Sequence, residues 1–282
     1  MTIHLSPFTT APNTMNILDK IIAQKRIEVA QRKAEVTIAE LEKGPFFKSE
    51  TYSLKAALLD NTKTGIIAEY KRKSPSKGII NDKATIEEVT MAYATYGASG
   101  ISVLTDHEFF GGSLADLQKA AIINKIPLLR KDFMIDEYQL LEAKAYGASV
   151  ILLIAANLSV GEVKSLASAA KNLGLEVLLE IHNEQELEHI CDEVDLVGVN
   201  NRNLKTFEVS LDTSVQLSNL IPLDKLKISE SGIHKVEDIH YLEQYGFKGF
   251  LIGENFMKQE VPGEAFRSFA EELKNYKVSK TS

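Results

Sequence analysis

The sequence has one cysteine, no long apolar run and no excess of positive charge. A single cysteine, Cys191, excludes a disulfide within the chain and argues against a metal site built from thiolates. It lies in an amphipathic stretch, and we interpret it as a small core residue. The net charge of -7 disfavours a nucleic-acid partner, because such proteins normally present a basic face. An anionic small-molecule ligand stays compatible with that charge, since one pocket can be locally positive inside an acidic protein.

The lack of long apolar runs argues against a membrane-spanning segment, and we expect no membrane partner. The longest run, residues 150–156, is far shorter than the roughly 18 residues that a spanning helix needs. The N-terminus also lacks the charged-then-apolar order of a secretory signal. We therefore expect a cytoplasmic protein.

An amphipathic helix precedes the main pattern. Apolar residues recur at helical spacing from Ile17 to about Glu35. Acidic residues dilute its basic ones, so we expect a solvated charged face on a helix that covers the rest of the fold, and not a membrane-binding surface. The basic residues of this helix are Lys20, Lys25, Arg26, Arg32 and Lys33.

Eight short apolar segments then alternate with helical patterns. This alternation predicts parallel βαβ units. Several segments are continuous apolar runs, which is typical of strands buried on both faces. The segments are residues 66–70, 101–104, 127–130, 149–154, 175–180, 195–199, 226–229 and 249–252. The helical patterns include residues 86–96, 114–123, 138–146, 160–173, 184–194, 213–220 and 236–245, and several end before a glycine that suits a left-handed C-cap.

The predicted fold class is α/β, a single (β/α)8 TIM barrel with an extra N-terminal helix. The rival is a doubly wound open sheet, which usually carries a glycine-rich phosphate loop after its first strand. The first strand here runs instead into residues 69–76, Glu-Tyr-Lys-Arg-Lys-Ser-Pro-Ser. We predict one domain over residues 1–282, with a helical extension at 1–50 and the barrel at 65–275. Residues 1 to about 14 are expected to form an irregular lead-in.

Charged residues end the odd-numbered strands. Catalytic groups of such barrels gather at the C-terminal face, and inward residues of alternate strands share layers. Glu69 and Lys71 are two residues apart and therefore share one face of the first strand. The five charged candidates, expected to meet near the barrel mouth, are Glu69, Lys71, Lys131, Glu180 and Glu230.

Two lysines among three carboxylates shift one another's pKa, and acid–base chemistry requires such shifts. Taken singly, each residue has a plain alternative, because a lysine after a strand is often solvated and a carboxylate there can simply cap the next helix. The joint placement on odd strands is what favours a functional interpretation.

Two strand ends suit a phosphate group. Ser231-Gly232 follows the seventh strand and Gly253-Glu254 follows the eighth. Barrels often bind phosphate with the loops after these strands, using backbone N–H groups at a short helix N-terminus. Glycine allows the backbone to approach an oxyanion closely.

The six histidines have no metal-ligand spacing, and we expect no metal site. His182 follows Glu180 closely, but we expect its side chain to point to the other side of the strand.

Several segments resemble the indole-3-glycerol-phosphate synthase family. They run in the family's order across nearly the whole chain, and the additional N-terminal helix is also a family trait. The matching segments are residues 68–76 (Ala-Glu-Tyr-Lys-Arg-Lys-Ser-Pro-Ser), 102–105, 110–113, 129–133, 198–204 and 229–233. The resemblance implies a lyase that converts 1-(2-carboxyphenylamino)-1-deoxyribulose 5-phosphate into indole-3-glycerol phosphate, carbon dioxide and water. It also implies a role in tryptophan biosynthesis and no cofactor.

The resemblance implies roles residue by residue. Lys131 resembles the general acid of ring closure, and Glu69, Lys71 and Glu180 resemble the groups that handle later proton transfers. The residues that resemble substrate-binding or supporting groups are Asn200, Arg202, Glu230 and Ser231, with Ser74 in the matched first segment. One departure is Asn255, where the family usually has a small residue, so we expect backbone N–H groups to hold the phosphate.

The implied chemistry needs an acid and an apolar wall. A lysine acid is expected to have a pKa tuned towards neutral, which suits proton delivery to a carbonyl oxygen. Phe110, Phe133 and Leu153 are candidate walls for an aromatic ring, although ordinary core packing explains them equally well. Arg202 suits a bidentate contact with a carboxylate or phosphate, and a structural ion pair is the alternative.

Two other functions fit the fold. Another sugar-phosphate barrel enzyme, such as phosphoribosylanthranilate isomerase, would use a cysteine and an aspartate at the strand ends, where this chain has no cysteine. A non-catalytic barrel would not need the polar strand ends that are intact here. We expect a small-molecule sugar-phosphate substrate and a monomer or weak homo-oligomer.

Overall fold

A computed structural model describes residues 16–204 and 206–281, with side chains through residue 276. The predicted lead-in at residues 1 to about 14 lies outside the described residues. Eight parallel strands close into a barrel in which each strand pairs with its neighbours in the chain and the last pairs with the first. The strands are β1 (Ile66–Tyr70), β2 (Gly100–Leu104), β3 (Leu128–Lys131), β4 (Val150–Ile154), β5 (Glu176–Ile181), β6 (Leu196–Asn200), β7 (Leu226–Glu230) and β8 (Phe247–Ile252).

Helices lie before the barrel, between its strands and after the last strand. They are α1 (Ile17–Glu35), α2 (Ile38–Leu41), α3 (Leu54–Leu59), α4 (Ile86–Thr95), α5 (Leu114–Ile123), α6 (Glu137–Ala145), α7 (Val160–Asn172), α8 (Asp212–Ser218), α9 (Val236–Glu243), α10 (Glu254–Met257) and α11 (Pro262–Thr281). The predicted barrel and the extra N-terminal helix are therefore confirmed.

One predicted helix is wrong. Residues 184–194 form only a short 3-10 helix, Glu184–His189, which ends because the backbone of Ile190 is extended. The tight turn starts at Asn183, whose side chain accepts from the Glu186 N–H. This short segment brings residues 182–189 close to the end of β5, where the site lies.

The interior of the barrel has an apolar base. Buried residues on the odd strands fill it, and each is followed two positions later by a charged residue that points the same way. The apolar members are Ile67, Leu129, Leu178 and Ile228. The charged residues above them are Glu69, Lys131, Glu180 and Glu230, which we call the charged layer.

Helix α1 is anchored by a buried cation. Lys25 is 1% exposed, and its Nζ lies 2.8 Å from Asp106 Oδ2 and 2.9 Å from Asp132 Oδ1. The prediction of a solvated basic face is therefore wrong for this residue. Lys25 lies four residues from both Ile21 and Val29, so it belongs to the apolar side of the helix.

The ion pairs keep Lys25 charged. Burial alone would lower its pKa, but Asp132 and Asp106 together raise it above the ordinary lysine value. The pKa of Asp132 is correspondingly low, because Lys25 and Arg130 outweigh the effect of its burial. The aspartates follow β2 and β3, so this contact joins α1 to the C-terminal end of the barrel.

The network continues to α6. Arg130 is completely buried and contacts Asp132 at 3.1 Å and Glu142 at 3.2 Å. Glu142 in turn accepts from Arg32 of α1 at 2.7 Å. Two residues of α1 are thus tied to the strand that carries Lys131.

Within the described ranges, no helix has the length and apolar character needed to cross a bilayer.

Replacing Lys25 with methionine is expected to lower the free energy of unfolding by about 3–5 kcal/mol, because two buried carboxylates lose a counter-charge. Lys33→Met is the matched control on the same helix. The pair of Lys33 with Asp136 is half exposed, and such pairs contribute about 0–1 kcal/mol. Urea denaturation followed by circular dichroism measures both variants, and equal losses would contradict the anchoring role of Lys25.

Candidate active site

A pocket opens at the C-terminal end of the barrel. Most of the sequence-predicted residues converge there; the exceptions are Gly232 and Gly253, which lie in the adjoining backbone, and Leu153. The predicted residues that line it are Glu69, Lys71, Ser74, Phe110, Lys131, Phe133, Glu180, Asn200, Arg202, Glu230, Ser231 and Glu254. Residues from all four odd strands and from the loops after them therefore face one space.

Lys131 is the centre of the charged layer. Its Nζ donates to Glu180 Oε2 at 2.7 Å and to Glu230 Oε2 at 2.8 Å. Both carboxylates are buried, with 4% and 2% of their surface exposed. The ammonium of β3 is thus held between the last residue of β7 and a residue near the end of β5.

A second cation lies beside the layer. Lys71 follows β1, and its Nζ lies 2.7 Å from Glu69 Oε1. Glu69 also acts on Lys131 and Glu230 through its charge. The prediction that two lysines and three carboxylates meet at one level is consistent with these contacts.

The pKa of Lys131 moves opposite to the expectation. Burial lowers it, but the charges of Glu180, Glu230 and Glu69 outweigh burial and raise it above the ordinary value. The expectation of a pKa tuned towards neutral is therefore wrong for this geometry. Two carboxylates within 2.8 Å stabilise the ammonium more than burial destabilises it.

The two carboxylates that hold Lys131 differ in the direction of their pKa shifts. Burial raises the pKa of Glu230 to about 7, with a smaller opposing effect of Lys131 and a further increase from Glu180. Burial also acts to raise the pKa of Glu180, but Lys131 and His182 bring it well below the ordinary value. At neutral pH, Glu180 is therefore ionised, whereas Glu230 is close to its titration midpoint.

Two glycines leave room for carboxylates. A Cβ on Gly198 of β6 would overlap Glu230 Oε1, and a Cβ on Gly253 would overlap the side chain of Glu69. Gly198 was not predicted as a site residue, because its role depends on a partner 32 positions away. Gly253 was predicted for phosphate, and the contact with Glu69 gives this position a further packing constraint.

Asn200 and Arg202 complete the polar wall. Asn200 Nδ2 donates to Glu180 Oε1 at 3.1 Å. The same side chain accepts from the Arg202 N–H at 3.0 Å, and a short antiparallel bridge to Val209 fixes the backbone of Arg202. Asn200 thus joins a charged-layer carboxylate to the loop that carries the arginine.

The opposite wall is apolar. The rings of Phe110 and Phe133 lie 6.1 Å apart at the pocket. Leu152 and Ile154 of β4 line it, whereas Leu153 packs among the residues that face the helices. The interpretation of Leu153 as a wall is therefore wrong, because neighbouring residues of a strand point to opposite faces. Three residues of α1 that were not predicted for the site also line it, namely Ile17, Leu18 and Ile21.

The two loops predicted for phosphate turn sharply. Ser231 has a φ of 66° and Gly232 a φ of 79°, so the chain after β7 passes through two left-handed residues. A left-handed serine is strained, and such strain concentrates at functional sites. Gly253 precedes α10, where the first N–H groups lack partners within the helix. The Asn255 side chain donates to the His234 carbonyl at 3.0 Å and joins the two loops.

His182 lies on the same side of the chain as Glu180. Its Nε2 is 3.2 Å from Glu180 Oε1. The expectation that it points to the other side is wrong, since residues two apart in extended backbone share a face.

Comparison with known proteins identifies relatives along nearly the whole chain. The family model for indole-3-glycerol phosphate synthase matches residues 18–269. The curated indole-3-glycerol phosphate synthase of Bacteroides thetaiotaomicron is 48% identical over 254 residues, which cover 90% of this chain and 97% of the relative. That of Polynucleobacter asymbioticus is 41% identical over 259 residues, covering 89% and 97%.

Solved structures agree on the fold. Variants of the tryptophan synthase α-subunit of Pyrococcus furiosus align with a TM-score of 0.57 to 0.58 at 17% identity, covering 76% of this chain and 99% of theirs. At that identity the likeness shows the barrel architecture alone.

Gly198→Ala is expected to lower the free energy of unfolding by about 1–3 kcal/mol, because the added methyl group overpacks against the buried Glu230 carboxylate. In a Glu230→Ala background the same substitution should cost less, and a double-mutant cycle measures the difference. Gly161→Ala is the control, since nothing lies within 4 Å of that position and alanine suits a helix better. A zero coupling energy between positions 198 and 230 would refute the packing argument.

Proposed function

This chain belongs to the indole-3-glycerol phosphate synthase family, and we propose that the charged layer at its barrel mouth carries the proton transfers of the family's reaction. The chain is a carboxy-lyase of tryptophan biosynthesis. The position of Lys131 supports this assignment of roles, because its ammonium group is held by two buried carboxylates and is open to the pocket. The proposed substrate is 1-(2-carboxyphenylamino)-1-deoxyribulose 5-phosphate.

Lys131 acts as the general acid of ring closure. The ring carbon that bears the carboxylate attacks the ketose carbonyl, and the carbonyl oxygen takes a proton from Lys131 Nζ. A positioned proton transfer of this kind contributes about 10²- to 10⁴-fold in rate. When Glu230 is protonated, Lys131 faces one negative charge fewer, which makes it the stronger acid.

Decarboxylation and dehydration follow. Loss of carbon dioxide returns the electron pair to the ring and restores its aromaticity. The new hydroxyl group then leaves as water with a proton from an acid, while a base removes a proton from the sugar carbon next to the nitrogen. Lys71 supplies the acid proton, because Lys131 has already given up its own. Glu180 is the base and Glu69 assists through its pair with Lys71.

The remaining residues hold the substrate. Phe110 and Phe133 contact the aromatic ring, which keeps the reacting carbons close together; such placement is worth about 7–11 kcal/mol at most. Arg202 and Ser74 bind the anionic groups nearby. Backbone N–H groups of the loops at Ser231-Gly232 and Gly253-Glu254 bind the phosphate.

The proposal treats residues 1–282 as one domain in which α1 belongs to the site. Its apolar residues line the pocket, and Lys25 joins it to the strands that carry the layer. We further propose a cytoplasmic monomer or weak homo-oligomer, as suits a biosynthetic enzyme whose pocket is formed within one chain.

Lys131→Ala is expected to reduce indole formation from the anilino-deoxyribulose phosphate by at least about 10²-fold, because the proton donor is lost. The appearance of indole absorbance measures the rate, and circular dichroism checks the fold. Lys119→Ala is the control, since Lys119 is exposed and pairs with Glu87 of the neighbouring helix, away from the pocket. Wild-type turnover by the Lys131 variant would refute the general-acid role.

The purified protein is expected to keep its full rate in EDTA without added cofactor, because every proposed proton transfer uses a side chain of the chain itself. The same indole assay measures this before and after dialysis. A complete loss of rate that returns with a divalent cation would contradict the proposed mechanism.

A further inference from the structure

His182 lies between two carboxylates behind the charged layer. Its Nε2 is 3.2 Å from Glu180 Oε1, and its Nδ1 is 3.3 Å from Glu186 Oε2. The side chain is only 10% exposed. A buried imidazole with a carboxylate at each nitrogen is stabilised when both nitrogens carry a proton.

Glu186 fixes the ring in place. Its Oε2 accepts from the backbone N–H of His182 at 2.7 Å, and its Oε1 accepts from Asn183 Nδ2 at 2.8 Å. The carboxylate is therefore held by two donors besides the imidazole. The tight turns of this 3-10 helix place the Glu186 carboxylate against the His182 imidazole.

The charges around His182 come from few elements. Glu180 faces it from β5 and Glu186 from the 3-10 helix. On the far side of Glu180 lie Lys131 and, beyond that lysine, Glu230. Residues 155–157 and strand β6, which pack against this region, carry no charge.

The other titratable groups of the packed elements face elsewhere. His189 bonds to the backbone carbonyls of Glu186 and Leu158, and Glu176 at the start of β5 bonds to residues 53–55. On α7, Glu162 caps its own helix and Lys171 pairs with Asp195. The exposed charges on these elements are Glu184, Glu188 and Lys164.

The imidazole is charged at neutral pH. Burial lowers its pKa, but Glu180 and Glu186 outweigh burial and raise it to about 9. Glu180 in turn has Asn200 and His182 at Oε1 and Lys131 at Oε2. This carboxylate therefore lies between two cations on opposite oxygens.

We propose that His182 is a positioning residue for Glu180, which it keeps ionised and oriented after Lys131 has given its proton to the substrate. This inference rests on the proposed role of Glu180 as the base. Neutral Lys131 no longer stabilises the Glu180 anion, and burial would then favour the protonated acid. The imidazolium at Oε1 supplies the remaining positive charge, so that Oε2 stays a base for the dehydration step.

The pH dependence of kcat tests this role. His182→Gln keeps a polar side chain but removes the charge, so the acid limb of the profile should move up by about one pH unit or more. At a given pH on that acid limb the rate should therefore fall about tenfold, whereas KM should change little because His182 does not line the pocket. His189→Gln is the matched control, because this buried histidine ends the 3-10 helix that follows His182 and bonds to backbone carbonyls instead of Glu180.

Glu186→Gln provides a second variant that leaves His182 in place. It removes one of the two charges that hold the imidazolium, so the His182 titration should move to lower pH. NMR of the imidazole measures this directly, with an expected midpoint near 9 in the wild type. A wild-type midpoint near the ordinary value of about 6.5 would overturn the proposal.

Glu180→Gln separates this inference from the proposed function. If that variant keeps the wild-type rate, the assignment of Glu180 as base fails, and the role of His182 fails with it. If Glu180→Gln is inactive while the His182→Gln profile superimposes on the wild type, the base assignment stands and only the inference about His182 is wrong.

Discussion

The ion contact of Lys131 with Glu180 and Glu230 is the interaction on which the site depends. An ammonium group inside a barrel is costly unless counter-charges surround it, and two carboxylates inside a barrel repel unless a cation separates them. Each member of the charged layer is therefore tolerated only because the others are present. The apolar base of Ile67, Leu129, Leu178 and Ile228 keeps water away from below. The pocket above gives a substrate access to these charges.

A second buried lysine is also held between two carboxylates, next to the charged layer in the chain. Lys25 of α1 occupies the space between Asp106 and Asp132, directly after the strands that form the pocket wall. Because Asp132 follows Lys131 in the chain, the anchor of the N-terminal helix and the proposed acid are adjacent. A helix that precedes the barrel thus becomes part of the site, and its apolar residues line the pocket.

The barrel and the convergence of the charged strand ends were predictable from sequence, because both follow from local patterns. Apolar runs mark the strands, and charges at their ends mark the mouth. The failures have tertiary causes. The apolar side of α1 includes Lys25, but its counter-ions lie 81 and 107 positions further along the chain. The room that Gly198 leaves for Glu230 depends on the register between β6 and β7. The predicted orientations of His182 and Leu153 were wrong, because residues two apart in a strand point to the same face and neighbouring residues point to opposite faces.

The direction of the Lys131 pKa required distances that no sequence supplies. Whether burial or counter-charge has the larger effect on this pKa depends on contacts of 2.7 and 2.8 Å.

The most direct test is an NMR titration of the protein with isotope-labelled lysine side chains, in which the Lys131→Arg variant assigns the Lys131 signal. The charged layer predicts that Lys131 stays protonated beyond the ordinary lysine pKa of about 10.4. A Lys131 that loses its proton at or below that value would contradict the account.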